Sequence, residues 1–348
     1  MQTSHKVINT NSNNISMVPD KSIQLIVSSP PYPMVEMWDD GFIKQDAEIK
    51  TLMENERYAD AFEKMHNILN SVWAECERVL VDGGFACINI GDATRTFNGK
   101  FQLFSNHAKV IECFQKLGFT LLPDIHWRKA TNSPNKFMGS GMYPAGAYVT
   151  YEHEYILIFR KGEKRIFDKN ERAMRQNSAY FWEERNIWFS DLWSINGTKQ
   201  DMPRGFDRKR NGAYPIEVPY RLISMYSIYG DTVLDPFGGL GTTSIAAMLS
   251  GRNSISVDIS SDFCTLMQMR LTDADLKNKL NNLIENRISQ HENFINTLPK
   301  DKKSQCYANN NHHFAVKTKQ EIDMRLYKIK DILQDEAHTC IYEAIKNK

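Results

Sequence analysis

The chain contains the segment Val233-Leu234-Asp235-Pro236-Phe237-Gly238-Gly239-Leu240-Gly241-Thr242-Thr243, which joins an apolar start to a glycine-rich end. The stretch 232–234 predicts a short buried strand, and the alanine-rich stretch 242–250 predicts a helix. Small ligands bind at the carboxyl ends of strands that run into such a turn. Glycines let the backbone approach a ligand without a Cβ in the way. The segment therefore predicts a ligand-binding loop in an α/β fold.

Two common ligands of glycine-rich loops do not fit this one. A phosphate-binding P-loop needs Gly-Lys-Ser/Thr, and the segment has no lysine. The dinucleotide fingerprint Gly-x-Gly-x-x-Gly also fails, because Gly239-Leu240-Gly241 is followed by Thr242-Thr243-Ser244 and the third glycine is missing. The loop therefore points to a cofactor that is not held by its phosphates.

A cofactor with an amine, a carboxylate and a ribose fits the polar residues around the loop. Asp235, at the end of the predicted strand, can face the amine, and the start of the following helix favours a carboxylate. Asp258 ends the next predicted strand, 253–257, and can accept hydrogen bonds from both ribose hydroxyls. S-adenosylmethionine has all of these groups. A purely structural glycine-rich turn is the alternative interpretation.

A second polar turn, Ser29-Pro30-Pro31-Tyr32, follows the short apolar run 22–27. Prolines fix the backbone and remove amide donors, so the turn presents carbonyl acceptors. The Ser29 hydroxyl and the Pro30 carbonyl can accept from an exocyclic base amine, which frees its lone pair for attack. Tyr32 offers an aromatic face to a base taken out of the duplex. The turn predicts a site for amine methylation, and a simple proline-rich turn is the alternative.

Predicted strands and helices alternate along the chain. Helices are expected at 58–80, 107–117, 220–229 and 242–250, and strands at 22–27, 85–90, 120–127, 155–159, 232–234 and 253–257. Such alternation predicts an α/β fold with a doubly wound, mostly parallel sheet. The stretch 160–210 differs, because it is rich in Lys and Arg interleaved with aromatic residues and has little periodicity. Residues beyond 276 are expected to form a helical tail.

The two turns together resemble those of the amino-methyltransferases of bacterial restriction–modification systems. That family carries Asp/Asn/Ser-Pro-Pro-Tyr/Phe as its catalytic motif and Asp-Pro-Phe-x-Gly-x-Gly-Thr-Thr as its cofactor motif. Here the catalytic motif comes about 200 residues before the cofactor motif, which is similar to the circularly permuted β class. The resemblance covers residues 7–270 and implies a Rossmann-like fold. It also implies direct transfer of a methyl group from S-adenosylmethionine to a base amine in double-stranded DNA.

The resemblance assigns roles to individual residues. Ser29-Pro30-Pro31-Tyr32 takes the catalytic role. Ala213-Tyr214-Pro215 resembles the segment that packs against the methionine part of the cofactor, and Asn11 is the nearest match to an early residue on the adenine side. The expected cofactor-binding residues are Asn11, Tyr214, Pro215, Asp235, Pro236, Phe237, Gly238, Gly239, Gly241, Thr242 and Asp258. The expected DNA-binding residues are Arg204, Arg208, Lys209 and Arg210.

The predicted layout has four parts: a catalytic half (1–160), a target-recognition region (161–210), a cofactor-binding half (211–275) and a helical C-terminal extension (276–348). Serine at the head of the catalytic motif is typical of cytosine N4 enzymes, whereas Asp or Asn is typical of adenine N6 enzymes. The resemblance therefore favours cytosine N4, with adenine N6 as the alternative. A non-catalytic module that binds nucleic acid is disfavoured, because both motifs are intact.

Composition excludes several other classes. The 348 residues carry a formal net charge of +1 and contain no apolar run of about 18 residues that would predict a membrane span. The N-terminus lacks the apolar core of a signal peptide. The six cysteines are scattered and form no Cys-x-x-Cys pair that would indicate zinc. We expect a cytoplasmic protein without a metal and a cognate restriction endonuclease in the same system; monomer and homodimer both stay open.

Overall fold

An eight-stranded sheet lies at the centre of the computed structural model, which describes residues 1–129, 138–139, 143–149, 151–199 and 212–345. The strands along the chain are β1 (Gln2–Thr3), β2 (His5–Asn9), β3 (Ile23–Ser28), β4 (Leu80–Ile90), β5 (Ala93–Phe97), β6 (Lys100–Phe104), β7 (Phe119–Arg128), β8 (Met138–Gly139), β9 (Ala147–Tyr148), β10 (His153–Lys161), β11 (Leu192–Ser194), β12 (Thr232–Asp235), β13 (Asn253–Asp258), β14 (Tyr307–Ala308), β15 (Ala315–Val316), β16 (Tyr327–Ile332) and β17 (Cys340–Ala344).

The central sheet has the strand order β11-β7-β10-β4-β3-β12-β13-β2. Neighbouring strands are parallel except at β10, which is antiparallel to both β7 and β4. The doubly wound, mostly parallel sheet predicted from the sequence is therefore confirmed.

Helices cover both faces of this sheet. They are α1 (Asp39–Gln45), α2 (Glu48–Glu54), α3 (Tyr58–Val79), α4 (Asn106–Lys116), α5 (Lys169–Asn177), α6 (Trp182–Trp188), α7 (Glu217–Tyr226), α8 (Thr242–Ser250), α9 (Ser261–Leu271), α10 (Leu276–Thr297) and α11 (Lys300–Lys303). Side chains alternate across β3, so Ile26 packs with α3 and α4 on one face while Leu25 and Val27 pack with α7 and α8 on the other. Both faces of the central strands are buried, as a parallel sheet requires.

The strands begin along one edge of the sheet and end along the opposite edge, and we name these two edges by strand direction. The carboxyl edge holds the ends of β3, β4, β12 and β13, at Ser28, Ile90, Asp235 and Asp258. Strand β10 runs the other way, so its first residue, His153, also lies there. The amino edge lies at the opposite ends of these strands. Both sequence motifs leave the sheet at the carboxyl edge, which is where open α/β sheets bind ligands.

The C-terminal extension is helical only in its first part, which corrects the prediction of a helical tail for 276–348. Helices α10 and α11 end at Lys303, and β14 to β17 follow. Strands β16 and β17 form a small antiparallel sheet with β1. The physical reason is a short two-residue alternation: Cys340 and Tyr342 are buried, and the residue between them is less so.

The basic stretch predicted as an insertion is tied into the rest of the molecule. Its strand β11 extends the central sheet beside β7. Helix α6 contacts α10 through an ion pair between Arg287 and Glu184, with N–O distances of 2.6 and 2.8 Å. Phe181 also stacks on His291 with ring centroids 3.7 Å apart. In the described part of the chain, no helix is long and apolar enough to cross a membrane.

Candidate active site at the carboxyl edge

The two motifs meet because β3 and β12 are neighbouring parallel strands, with Leu234 paired to Ile26. Ser28, the residue before the catalytic turn, donates a hydrogen bond from Oγ to Asp235 Oδ1 at 2.6 Å. This bond joins residues 207 positions apart in the chain. The predicted catalytic turn and the predicted cofactor loop therefore form one site.

Asp235 is a buried carboxyl group of the site, with 3% of its surface exposed. Its Oδ1 also accepts from the Phe237 amide at 3.0 Å, and its Oδ2 accepts from Thr243 Oγ1 at 2.5 Å. Burial raises the pKa of the Asp235 carboxyl to about 6, although these hydrogen bonds and that from Ser28 oppose the shift. Tyr214 Oη lies 2.5 Å from Thr243 Oγ1 and so extends the network.

The glycines of the loop have two different tasks. A Cβ at Gly241, where φ is +71°, would lie 2.4 Å from Met267 Cγ of α9, and one at Gly238 would lie 2.7 Å from Met267 Cε. These two glycines are therefore needed for packing between the loop and α9. A Cβ at Gly239 would meet nothing closer than the Phe237 carbonyl at 3.9 Å. Of these three described glycines, Gly239 alone has open space where a Cβ would lie.

Asp258 is joined to the same loop from the end of β13. Its Oδ2 accepts from the Gly239 amide and its Oδ1 from the Ser260 amide, both at 2.9 Å. The side chain is half-buried. A carboxylate has about four lone-pair positions, so two amide hydrogen bonds do not use all of them.

The remaining predicted cofactor residues lie around the loop. Ser12 Oγ donates to the Pro236 carbonyl at 2.5 Å, which places the turn that contains Asn11 beside the loop. Phe237 packs edge-on against Trp73 with centroids 5.7 Å apart. Thr242 is the first residue of α8, and the Pro215 carbonyl accepts from Val218 at the start of α7. The structure thus brings all of the predicted cofactor residues to one end of the sheet.

The catalytic turn is held by polar groups from two neighbouring strands. Tyr32 Oη donates to Glu154 Oε2 at 2.9 Å and lies 3.1 Å from Ser29 Oγ. Asn89 Nδ2 donates to Tyr32 Oη at 2.8 Å and to Glu154 Oε2 at 2.7 Å. The Tyr32 ring packs against Gly91, where a Cβ would lie 3.0 Å from Tyr32 Cε2. Both the ring and the hydroxyl of Tyr32 have fixed positions.

Glu154 is a site residue that the sequence analysis did not assign, because it lies just before the predicted strand 155–159 and belongs to neither motif. It lies at the start of β10 and forms an ion pair with Lys129, which follows β7. Burial, followed by the charge of Glu154, raises the pKa of Tyr32 well above its ordinary value. Tyr32 therefore stays protonated and donates its one proton to Glu154. The only sequence signal was a carboxylate at the start of a predicted strand.

Asn89 and Asn106 are further missed residues. Asn106 Nδ2 donates to the carbonyls of Pro33 at 3.1 Å and Gly91 at 2.9 Å, which joins the catalytic turn to the end of β4. Asn89 Oδ1 is buried beside Ser29 and has no hydrogen-bond partner within the described ranges. Buried polar atoms normally have a partner, so this oxygen is available to a ligand donor.

These residues fit the cofactor expected from the sequence. The open backbone at Gly239, the acceptor capacity of Asp258 and the buried carboxylate of Asp235 are suited to a ribose and an amine. Among the residues that the structure describes, no group of His, Cys, Asp and Glu could hold a metal ion.

The predicted DNA-binding residues Arg204, Arg208, Lys209 and Arg210 lie outside the described residues. The described residues on both sides of the segment that contains these four residues lie at the carboxyl edge. Strand β11, which ends at Ser194, pairs with the end of β7. A Cβ at Gly212 would lie 3.0 Å from Trp38, just after the catalytic turn.

The N6_N4_Mtase family, described as DNA methylase, matches residues 23–269. This chain belongs to that DNA methylase family. The methylase is 48% identical over 330 residues to the Type II methyltransferase M.MthZI of Methanothermobacter thermautotrophicus, covering 94% of this chain and 91% of the relative. It is 49% identical over 280 residues to the Type II methyltransferase M.MjaI of Methanocaldococcus jannaschii, covering 77% and 91%.

Solved structures agree with this assignment. The methylase resembles TTHA0409 of Thermus thermophilus, assigned as a DNA modification methylase and solved with S-adenosyl-L-methionine, with TM-score 0.59, 29% identity and coverage of 76% of this chain and 94% of that one. It shares its fold with the PvuII cytosine-N4-specific DNA methyltransferase at TM-score 0.56 and 17% identity, covering 82% and 94%. The resemblance to restriction–modification amino-methyltransferases is confirmed, with S-adenosylmethionine as methyl donor and DNA as substrate.

Proposed function

We propose that this methylase transfers its methyl group to the N4 amine of cytosine. The observation that carries the proposal is the serine at the head of the catalytic turn, with its Oγ 3.1 Å from Tyr32 Oη. Tyr32 donates its own proton to Glu154, so its oxygen can accept from Ser29. Ser29 Oγ also accepts from Asn89 Nδ2 at 3.3 Å, and we expect its remaining lone pair to accept from the base amine.

The proposed chemistry is direct attack by the amine. Ser29 Oγ and the Pro30 carbonyl accept from the two amine hydrogens, which returns electron density to the nitrogen lone pair, while Pro31 keeps the turn rigid. Tyr32 stacks on the base. Bound S-adenosylmethionine supplies a methyl group on a positively charged sulfur, which is open to in-line displacement. Catalysis rests mainly on positioning and on exclusion of water.

We assign cofactor contacts on the same basis. Asp258 binds the ribose hydroxyls, and Asp235 faces the amino group from below the loop. Gly239 allows close backbone approach, and Tyr214 lines the methionine side. Asn11 is assigned to the adenine side because its turn lies beside Pro236.

DNA recognition is proposed for the segment that contains Arg204, Arg208, Lys209 and Arg210. Support comes from the flanking residues Ser194 and Gly212, which both lie at the carboxyl edge. Basic side chains there can bind phosphates while the target base rotates out of the duplex toward Tyr32. A cognate endonuclease in the same system is part of this proposal.

Nucleoside analysis tests the choice of base. DNA from cells that express the chain should contain N4-methylcytosine, measured by mass spectrometry after digestion to nucleosides. DNA from cells that express Ser29→Ala should contain far less, with cofactor affinity little changed, because Ser29 acts mainly in the transition state. Detection of N6-methyladenine instead would establish the alternative, adenine N6 methylation.

A further inference from the structure

A wide groove lies at the amino edge of the sheet, on the side opposite the active site. It has a volume of about 1100 Å³. Gln24 at the start of β3, Phe85 in β4, Arg160 near the end of β10 and Asp231 before β12 place it at that edge. Helices α5 and α6 supply residues of the other wall. Gly91 at the active site lies six positions after Phe85, which corresponds to about 20 Å along the strand.

The groove is basic, with seven Lys and Arg side chains and three acidic side chains in its lining. Arg165 is neutralised by Asp231, with an N–O distance of 2.8 Å, and by Glu171 at 2.9 Å. Glu321 is buried and accepts from the Trp182 amide at 2.9 Å. The remaining basic side chains have no ion pair with any described residue: Arg160, Lys164, Arg172, Arg175, Arg185 and Lys319.

Aromatic rings are interleaved with these cations. Phe167 lies between the guanidinium groups of Arg165 and Arg175, at 4.8 and 4.9 Å from the ring centroid. Arg185 lies 5.8 Å from the Phe189 ring. Phe189 is 43% exposed and Trp182 is 40% exposed, although large aromatic side chains are usually buried. The groove therefore presents both unpaired positive charge and partly exposed aromatic rings.

We propose that this groove binds single-stranded nucleic acid. Unpaired bases can stack on exposed rings such as Phe189 and Trp182 while arginines bind the phosphates. A duplex about 20 Å wide presents its bases only inside the grooves, so it cannot use aromatic faces that line a concave surface. The position at the amino edge makes the groove independent of the DNA duplex bound for methylation.

Fluorescence anisotropy of labelled oligonucleotides with the full chain tests the proposal. Oligothymidylate and oligouridylate of roughly 12 nucleotides serve as probes, and the comparison of the two separates DNA from RNA as the source. The double variant Arg175→Glu/Arg185→Glu should weaken binding by about ten-fold or more and flatten its salt dependence. The variant Trp182→Ala should weaken it without changing the salt slope. The matched control Lys50→Glu/Lys116→Glu, on exposed parts of α2 and α4, should leave binding unchanged.

Three outcomes would overturn the proposal. The first is unchanged oligonucleotide affinity in Arg175→Glu/Arg185→Glu. The second is loss of oligonucleotide binding in Tyr32→Ala, which would place the strand in the active site. The third is equally weakened binding of a duplex without target sites, which would make the groove a general phosphate surface. Unchanged methylation of a short target duplex by Arg175→Glu/Arg185→Glu would show that the variant is folded and that the groove is separate.

Discussion

Glu154 connects three parts of the active site. It forms an ion pair with Lys129, accepts from Asn89 at 2.7 Å and accepts from Tyr32 at 2.9 Å. A carboxylate that accepts a hydrogen bond from a buried phenol fixes the direction of the ring. We infer that Glu154 positions Tyr32 without touching the base itself.

Replacing Glu154 tests this positioning role. Glu154→Gln keeps the shape but removes the charge that holds Lys129 and the phenol, so we expect the turnover rate to fall by about ten-fold or more. Cofactor affinity, measured by calorimetry, should stay within about two-fold, since Glu154 contacts the catalytic turn and not the loop. Glu152→Gln is the matched control, because it breaks only a partly exposed ion pair with Arg128 at 3.2 Å. Equal turnover in the two variants would rule out positioning by Glu154.

The buried Asp235 carboxyl stabilises the folded protein more at low pH than at neutral pH, whereas most carboxyl groups have the opposite effect. Burial raises its pKa in the folded protein from the ordinary 3.8 to about 6. The folded state then binds the proton more tightly than the unfolded state, so this group favours folding below pH 3.8, and that stabilisation is lost as pH rises through about 6. Asp235→Asn should abolish the effect, which amounts to up to about 3 kcal/mol. Denaturant unfolding at several pH values measures it as the difference between variant and parent. If the difference in unfolding free energy between Asp235→Asn and the parent stays constant between about pH 4 and 7, the raised pKa of Asp235 is contradicted.

At the scale of elements, the loop between β12 and α8 depends on its contact with α9. Gly238 and Gly241 both face Met267, whereas Gly239 is open. Gly241 and Gly239 have left-handed backbone conformations, with φ of +71° and +49°. The two positions therefore differ in packing and not in backbone strain.

Alanine substitutions separate packing from strain. Gly239→Ala should cost about 1–2 kcal/mol of unfolding free energy, because alanine is strained in a left-handed conformation. Gly241→Ala should cost clearly more, because its Cβ would lie 2.4 Å from Met267 Cγ. Adding Met267→Ala to Gly241→Ala should then recover part of the loss. Chemical denaturation measures all three variants; equal costs at Gly239 and Gly241 would show that α9 adapts without penalty.

Local patterns predicted six of the eight strands of the central sheet, all except β2 and β11. Helix α3 follows the predicted 58–80 closely, since its apolar positions Phe62, Met65 and Leu69 recur at helical spacing. Strand β11 was missed, because three residues in a stretch of mixed polarity carry no measurable period. Strands β16 and β17 were missed for a related reason. The pairing of β17 with β1 depends on contacts between opposite ends of the chain, such as Gln2 with Ile341.

The candidate site was predictable where it consists of contiguous residues. Ser29 to Tyr32 and Asp235 to Thr242 are motifs whose spacing indicates their role. Glu154, Asn89 and Asn106 each reach the site singly from a different strand or helix, so nothing in their local sequence marks them. The resemblance could suggest which strands meet, but only the register of β4 and β10 places Asn89 beside Glu154.

At the scale of the whole molecule, the sheet separates two polar surfaces. The carboxyl edge carries both motifs and the described flanks of the 200–211 segment. The amino edge carries the basic groove. The described part of the basic stretch therefore reaches both edges, because residues of α5 and α6 line the groove and β11 ends at the carboxyl edge.

We therefore expect different effects from two sets of basic residues. Reversing Arg208, Lys209 and Arg210 to Glu should weaken binding of a target duplex and reduce its salt slope by about 3, roughly one unit for each lost phosphate contact. Cofactor affinity should be unchanged. Anisotropy titrations at several salt concentrations measure both affinity and slope, and Arg175→Glu/Arg185→Glu serves as the control with intact duplex binding. An unaltered slope in the triple variant would move recognition to another surface.

The hydrogen bond between Ser28 and Asp235 has a consequence for how soon the protein can work after translation. It closes a loop of 207 residues, and contacts of such sequence separation form late and slowly. Ribosomes add about 5–20 residues per second, so the catalytic turn emerges roughly 10–40 s before the strand that completes its site. No truncated or nascent form that ends before β12 contains the pair. Methylation capacity in the cell must therefore lag behind synthesis of the chain, and protection of DNA depends on the finished fold.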